Sequence, residues 1–114
     1  MILGIGVDIC QNSRINLKVS ERILNEDELV VFNDLKLETR KLEYLAGRFA
    51  VKEAIIKAFS QAKIDVYMRE IVVLNDEINR PIMVKPIFDD LSIKISLSHE
   101  NEHSIGFAIV ESIV

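Results

Sequence analysis

Leu42–Glu43–Tyr44–Leu45–Ala46–Gly47–Arg48–Phe49–Ala50–Val51–Lys52–Glu53–Ala54–Ile55–Ile56–Lys57–Ala58–Phe59 reads as one long helix, and the fold is organised around it. At about 100° per residue, Leu42, Leu45, Phe49 and Ile56 fall within one arc roughly 60° wide. Glu53 borders that arc, about 20° from Leu42 and about 20° from Ala46. A carboxylate drawn out of water is costly unless a cation, a metal or a proton compensates it. On the far side Gly47, Val51, Ala54 and Ala58 lie within roughly 60° of one another, a strip of small side chains. A helix apolar on both sides belongs between layers. The helix is expected over roughly Thr39–Ser60, with Thr39 as its N-cap.

Upstream, residues 2–9 alternate as a strand, with Leu3, Ile5, Val7 and Ile9 on one side and Gly4, Gly6 and Asp8 on the other. The bare glycine face allows a helix or a ligand to approach closely, so it and the helix's small-residue strip are candidate partners. A first helix is expected from Asn12 or Ser13, either one an N-cap, to about Leu24, and a second over Asp27–Leu35. Downstream, residues 69–75 read as a strand, Asn79–Arg80–Pro81 as a turn and 82–85 as a short strand. Ile93–Ser98 and Ser104–Val110 read as the arms of a hairpin turning within His99–His103. Strand, helices and then a run of strands is an α+β layout, and 114 residues suit a single domain, 1–114.

Composition narrows the function. Hydrophobic residues make up 49% of the chain, enough for a core, and no apolar run approaches the roughly 20 residues of a spanning helix. The net charge of −4 argues against general nucleic-acid binding. The N-terminus lacks the basic start and cleavage site of a signal peptide, and the one cysteine, Cys10, excludes an internal disulfide. A cytoplasmic protein is the expectation.

Asp8, at the end of the glycine face, is either a strand-end residue facing water or a ligand for a hard cation such as Mg²⁺. Glu53 and Lys57 have the i, i+4 spacing of a surface ion pair, but partial desolvation of that pair would mark a site. His99 continues the apolar side of Ile93, Ile95 and Leu97 to the hairpin mouth, as a turn residue or a binding group. His103 is expected to face solvent and Cys10 to act as a small buried hydrophobe. Arg14, Lys18 and Arg22 recur every four residues on the first helix, a basic stripe suited to an acidic partner in an otherwise acidic chain.

Gly4–Ile5–Gly6–Val7–Asp8–Ile9, Gly47–Arg48–Phe49–Ala50–Val51–Lys52–Glu53–Ala54–Ile55–Ile56–Lys57–Ala58 and Ser96–Leu97–Ser98–His99–Glu100 occur here in the order and spacing of one family. Across nearly its whole length the chain resembles the holo-acyl-carrier-protein synthases, the small bacterial 4′-phosphopantetheinyl transferases. The resemblance implies their fold, with one long buried helix on a small, mainly antiparallel sheet. It implies transfer of 4′-phosphopantetheine from coenzyme A to a serine of apo acyl carrier protein, in support of fatty acid biosynthesis. Asp8 and Glu53 would bind Mg²⁺, and Lys57 would contact the pyrophosphate and assist departure of adenosine 3′,5′-bisphosphate. Arg48 would help bind the nucleotide phosphates, with His99 near the 3′-phosphate, and Glu53 or a metal-bound water would take the serine proton. Arg14, Lys18 and Arg22 would dock the carrier, in a homotrimer with active sites between subunits. Two departures stand out: Phe59–Ser60–Gln61–Ala62–Lys63 lacks the glycine usual after the long helix, and Cys10–Gln11–Asn12 replaces a frequent acidic residue, leaving the metal more dependent on water. Two other readings compete. One is a non-catalytic module that binds an acidic partner through the basic helix, and the other is a metal-dependent phosphohydrolase using the same two carboxylates.

Overall fold

A computed structural model describes residues 1–113. Its elements run β1 (Ile2–Gln11), α1 (Ser20–Ile23), α2 (Glu26–Asp34), α3 (Glu38–Gln61), β2 (Val72–Asn75), β3 (Pro81–Lys85), β4 (Leu91–His99) and β5 (His103–Ser112). Among the described residues β1, β5 and β4 form an antiparallel sheet in that order, and β2 pairs with β3 in a separate hairpin. The α+β class expected from the sequence is the one observed.

The long helix begins one residue before and ends one residue after its expected span. Thr39 is not the cap; Leu37 holds that position with no side-chain hydrogen bond, so Thr39 lies inside the first turn. The seam between α3 and the sheet is built from backbone. A methyl group added at Gly4 would lie 1.9 Å from the carbonyl oxygen of Ala58, and one at Gly6 1.8 Å from that of Ala54. At Gly106, on β5, it would lie 2.4 Å from Cα of Val51. The glycine face and the small-residue strip are therefore the complementary surfaces that the alternation and the helical period suggested. Gly47, the strip's remaining member, instead faces the side chain of Leu97. On the helix side of the sheet, Val51, Ala54, Ile55, Ala58 and Phe59 join Val66, Ile71, Val73, Ala108 and Val110 in the main core.

The first helix is broken. Asn12–Arg14 and Leu17–Val19 are short 3₁₀ turns separated by extended backbone at Ile15 and Asn16, and α-helix begins only at Ser20. The cause is Asn12, which turns inward instead of capping a helix. Its Nδ2 donates to the carbonyls of Glu100 (3.0 Å) and Asn101 (3.3 Å), and its Oδ1 accepts from Ser104 Oγ (2.8 Å). That ties the segment to the β4–β5 turn. Arg14, Lys18 and Arg22 are all exposed, but they sit on three different turns and not on one helical face.

α2 starts at a full capping box: Asn25 caps the helix and Glu28 returns to the Asn25 amide. The strand expected over 69–75 is shortened at its start, because Tyr67 and Glu70 close a turn, with Glu70 Oε1 accepting from the Tyr67 amide at 2.7 Å. No helix among the described residues is long and apolar enough to cross a membrane.

Candidate active site

Alternation along β1 aims Asp8 at the same side as Gly4 and Gly6, toward α3, and its register partner is Gly106. Both strands approach the helix closely there, so Asp8 arrives beside the α3 turns carrying Glu53 and Lys57. Lys57 Nζ donates to Asp8 Oδ1 at 3.0 Å and to the carbonyl of Val7 at 3.1 Å. The helical pair Glu53–Lys57 does not form; the lysine crosses to the strand. Glu53, half-buried, has its pKa raised, first by burial and then by the negative charge of Asp8, with Lys57 pulling the other way. Two neighbouring carboxylates, the charge of Asp8 adding to the cost of ionising Glu53, with one lysine beside them form a hard-oxygen donor set that a divalent cation would neutralise.

Arg48 and His99 belong to a different place. They line a cleft of about 320 Å³ with Arg40, Tyr44, Asn75 and Leu97. Arg48 is almost fully buried: its Nε donates to the carbonyl of Val73 (3.1 Å), one Nη to Asn75 Oδ1 (3.0 Å), and its guanidinium lies 4.5 Å from the Tyr44 ring centre. His99 is exposed at the end of β4. Nine residues separate Arg48 from Lys57, which places them about 180° apart around α3. One copy of the chain thus carries two residue clusters on opposite sides of its central helix.

The deepest charges among the described residues are Lys52 and Glu28, not Glu53. Lys52 is fully buried and ion-paired with the equally buried Glu28, and its Nζ also donates to the carbonyls of Ile23 (2.7 Å) and Met68 (3.2 Å). Burial pushes the Lys52 ammonium pKa down, and the Glu28 carboxylate opposes that. The sequence carried the signal: Lys52 lies about 20° from both Leu45 and Phe59 by the seven-residue step. Cys10 is buried, with its thiol pKa raised chiefly by burial and then by Asp8, as expected of a small buried side chain. His103 Nδ1 lies 3.2 Å from Glu100 Oε1 at the hairpin tip. Arg40 is the cleft cation that sequence reasoning did not single out.

The family model of the 4′-phosphopantetheinyl transferase superfamily matches residues 4–108. A holo-[acyl-carrier-protein] synthase of Acholeplasma laidlawii is 37% identical, with 98% of each chain covered. One from Petrotoga mobilis is 40% identical over 96% of this chain and 97% of its own. Among solved structures, a holo-(acyl-carrier-protein) synthase from Bacillus anthracis in complex with CoA (3′,5′-ADP) superposes with a TM-score of 0.86, at 37% identity and 98% coverage of both chains.

Proposed function

Because the chain belongs to the holo-[acyl-carrier-protein] synthase family of 4′-phosphopantetheinyl transferases, we propose that it moves 4′-phosphopantetheine from coenzyme A to a serine of apo acyl carrier protein. The observation that carries this reading at residue level is the meeting of Asp8, Glu53 and Lys57 where β1 crosses α3.

Asp8 and Glu53 would hold Mg²⁺, whose donor preference they fit: two carboxylates, with open positions for water and phosphate oxygens. When bound, the ion supplies charge neutralisation at the pyrophosphate. The carrier's serine oxygen forms a bond to the phosphorus bearing the pantetheine arm. The pyrophosphate P–O bond breaks, and adenosine 3′,5′-bisphosphate leaves. Lys57, about half-exposed and held at Asp8, supplies a cation that can turn to the departing phosphate. The serine proton passes to Glu53 or to water. Arg48 and His99, with Arg40 beside them, would receive the nucleotide phosphates in their cleft. Arg14, Lys18 and Arg22, all exposed, would dock the acidic carrier.

The opposed clusters favour an assembly in which one copy supplies Asp8, Glu53 and Lys57 and another supplies Arg48 and His99. The outer face of the sheet offers the contact. Val7 pairs with Phe107, Ile9 with Ile105 and Ile5 with Ile109, and five of these six are exposed. A homotrimer joined there is our reading, acting in the cytoplasm to supply holo carrier for fatty acid biosynthesis.

Incubation with Mg²⁺, coenzyme A and an apo carrier, followed by mass spectrometry of the carrier, tests the activity. We expect the carrier to gain the phosphopantetheine mass. A carrier left unmodified across several pH values and metals would sink the proposal. Bisphosphate released without any carrier would identify a hydrolase, and carrier binding indifferent to Mg²⁺ and coenzyme A would identify a binding module.

A further inference from the structure

Glu28 and Lys52 do not line the cleft, yet hydrogen bonds join Glu28 to two residues that do: its carbonyl accepts from Tyr44 Oη at 3.5 Å, and its carboxylate reaches Arg48 through Val73. Both carboxylate oxygens of Glu28 are engaged: Oε1 accepts from Lys52 Nζ and from the Asn25 amide (2.9 Å), and Oε2 accepts from the Val73 amide (2.8 Å). The carbonyl of Val73 accepts from Arg48 Nε (3.1 Å). β3 covers one edge of β2. Along the other edge, Val73 thus presents its N–H to Glu28 and its C=O to Arg48. Arg48 lines the cleft with its guanidinium held by the Val73 carbonyl and Asn75 and packed against the Tyr44 ring.

Resting on the assignment of the cleft to the nucleotide phosphates, we propose that the Lys52–Glu28 pair is a positioning device for Arg48. By pinning Val73, it fixes the carbonyl that orients the guanidinium in the wall of the cleft. Lys52 in turn is fixed by the carbonyls of Ile23 and Met68, so the device joins the segments on either side of α3. Groups that orient a binding side chain from behind commonly matter as much as its own contacts.

The test substitutes Glu28→Gln, whose amide cannot accept from Lys52, Asn25 and Val73 together. In the transfer assay, KM for coenzyme A should rise about tenfold while kcat stays within about twofold. KM for 3′-dephospho-coenzyme A should rise less. In an Arg48→Ala background the same substitution should add nothing, because the group it positions is gone. Without any substrate, hydrogen exchange at Arg48 Nε–H, followed by ¹⁵N NMR, should quicken at least about tenfold. If the single variant does not fold, Glu28→Gln/Lys52→Met takes its place, since neutralising both members of a buried pair strands no charge. Equal KM losses with and without Arg48, or unchanged Nε–H exchange, would overturn the relay. Should the wild-type chain transfer nothing, the functional reading fails by itself, and the exchange measurement alone decides the positioning role.

Discussion

Glu53 is held half-buried next to Asp8, and its pKa is raised by burial and by that neighbour. A carboxyl whose folded pKa lies above its unfolded value stabilises the fold at pH below the unfolded value. That contribution fades as pH rises through the folded pKa. Above that range Glu53 therefore works against the metal-free protein. Glu53→Gln should abolish transfer while raising the metal-free melting temperature by about 1–3 °C, a small effect because the site is partly open to screening solvent. Mg²⁺ should raise the melting temperature of the parent and leave the variant unmoved. Thermal melts with and without the ion check both expectations. At this scale the sequence was legible in part. Helical arithmetic found Glu53, and alternation found Asp8. It could not foresee that Lys57 would leave Glu53 for the strand, because that depends on how closely β1 approaches. Lys52 escaped because its partner, Glu28, lies on another element, 24 residues away in sequence.

The end of α3 shows how an element closes without the residue usually placed there. Lys63 N–H donates to Ser60 O (3.0 Å) and Ile64 N–H to Phe59 O (2.9 Å), the Schellman pattern, with Lys63 at φ 62° in the left-handed position. Ile64 packs on the cluster containing Phe59, supplying the apolar contact that accompanies the motif. The glycine-free loop therefore keeps its cap at a steric cost. Lys63→Gly should stabilise the fold by about 1 kcal/mol, read as a shift of the urea midpoint at constant slope. Element boundaries were most legible where a period ran long, as in α3. They failed between residues 12 and 23, where basic and aliphatic residues recur as they would on a helix. There Asn12 satisfies the hairpin tip instead, a long-range demand that no local pattern reveals.

For the whole molecule, the α+β class and the seam between helix and glycine face followed from periodicity, while the separation of the Asp8 cluster from the Arg48 cleft did not. That separation depends on which faces of α3 the sheet and the β2–β3 hairpin cover. Phe107→Lys places a charge in the middle of the exposed apolar face. It should leave the circular dichroism of the chain unchanged and shift light scattering from the mass of the proposed trimer toward the monomer, with transfer falling at least about tenfold if the two clusters meet between copies as proposed. A monomeric variant that retained full transfer would show that one copy suffices.

The contact of Gly4, Gly6 and Gly106 with the α3 backbone also governs how the protein tolerates change. Contacts between main chains have no rotamers to repack, so the spacing of Asp8, Glu53 and Lys57 does not depend on which aliphatic side chains fill the opposite side of the helix. Substitutions accumulating among Ile55, Ile71 and Val73 would then alter how firmly the chain folds while leaving the arrangement of Asp8, Glu53 and Lys57 undisturbed. The three glycines form a mechanical datum against which the rest of the sequence is free to drift.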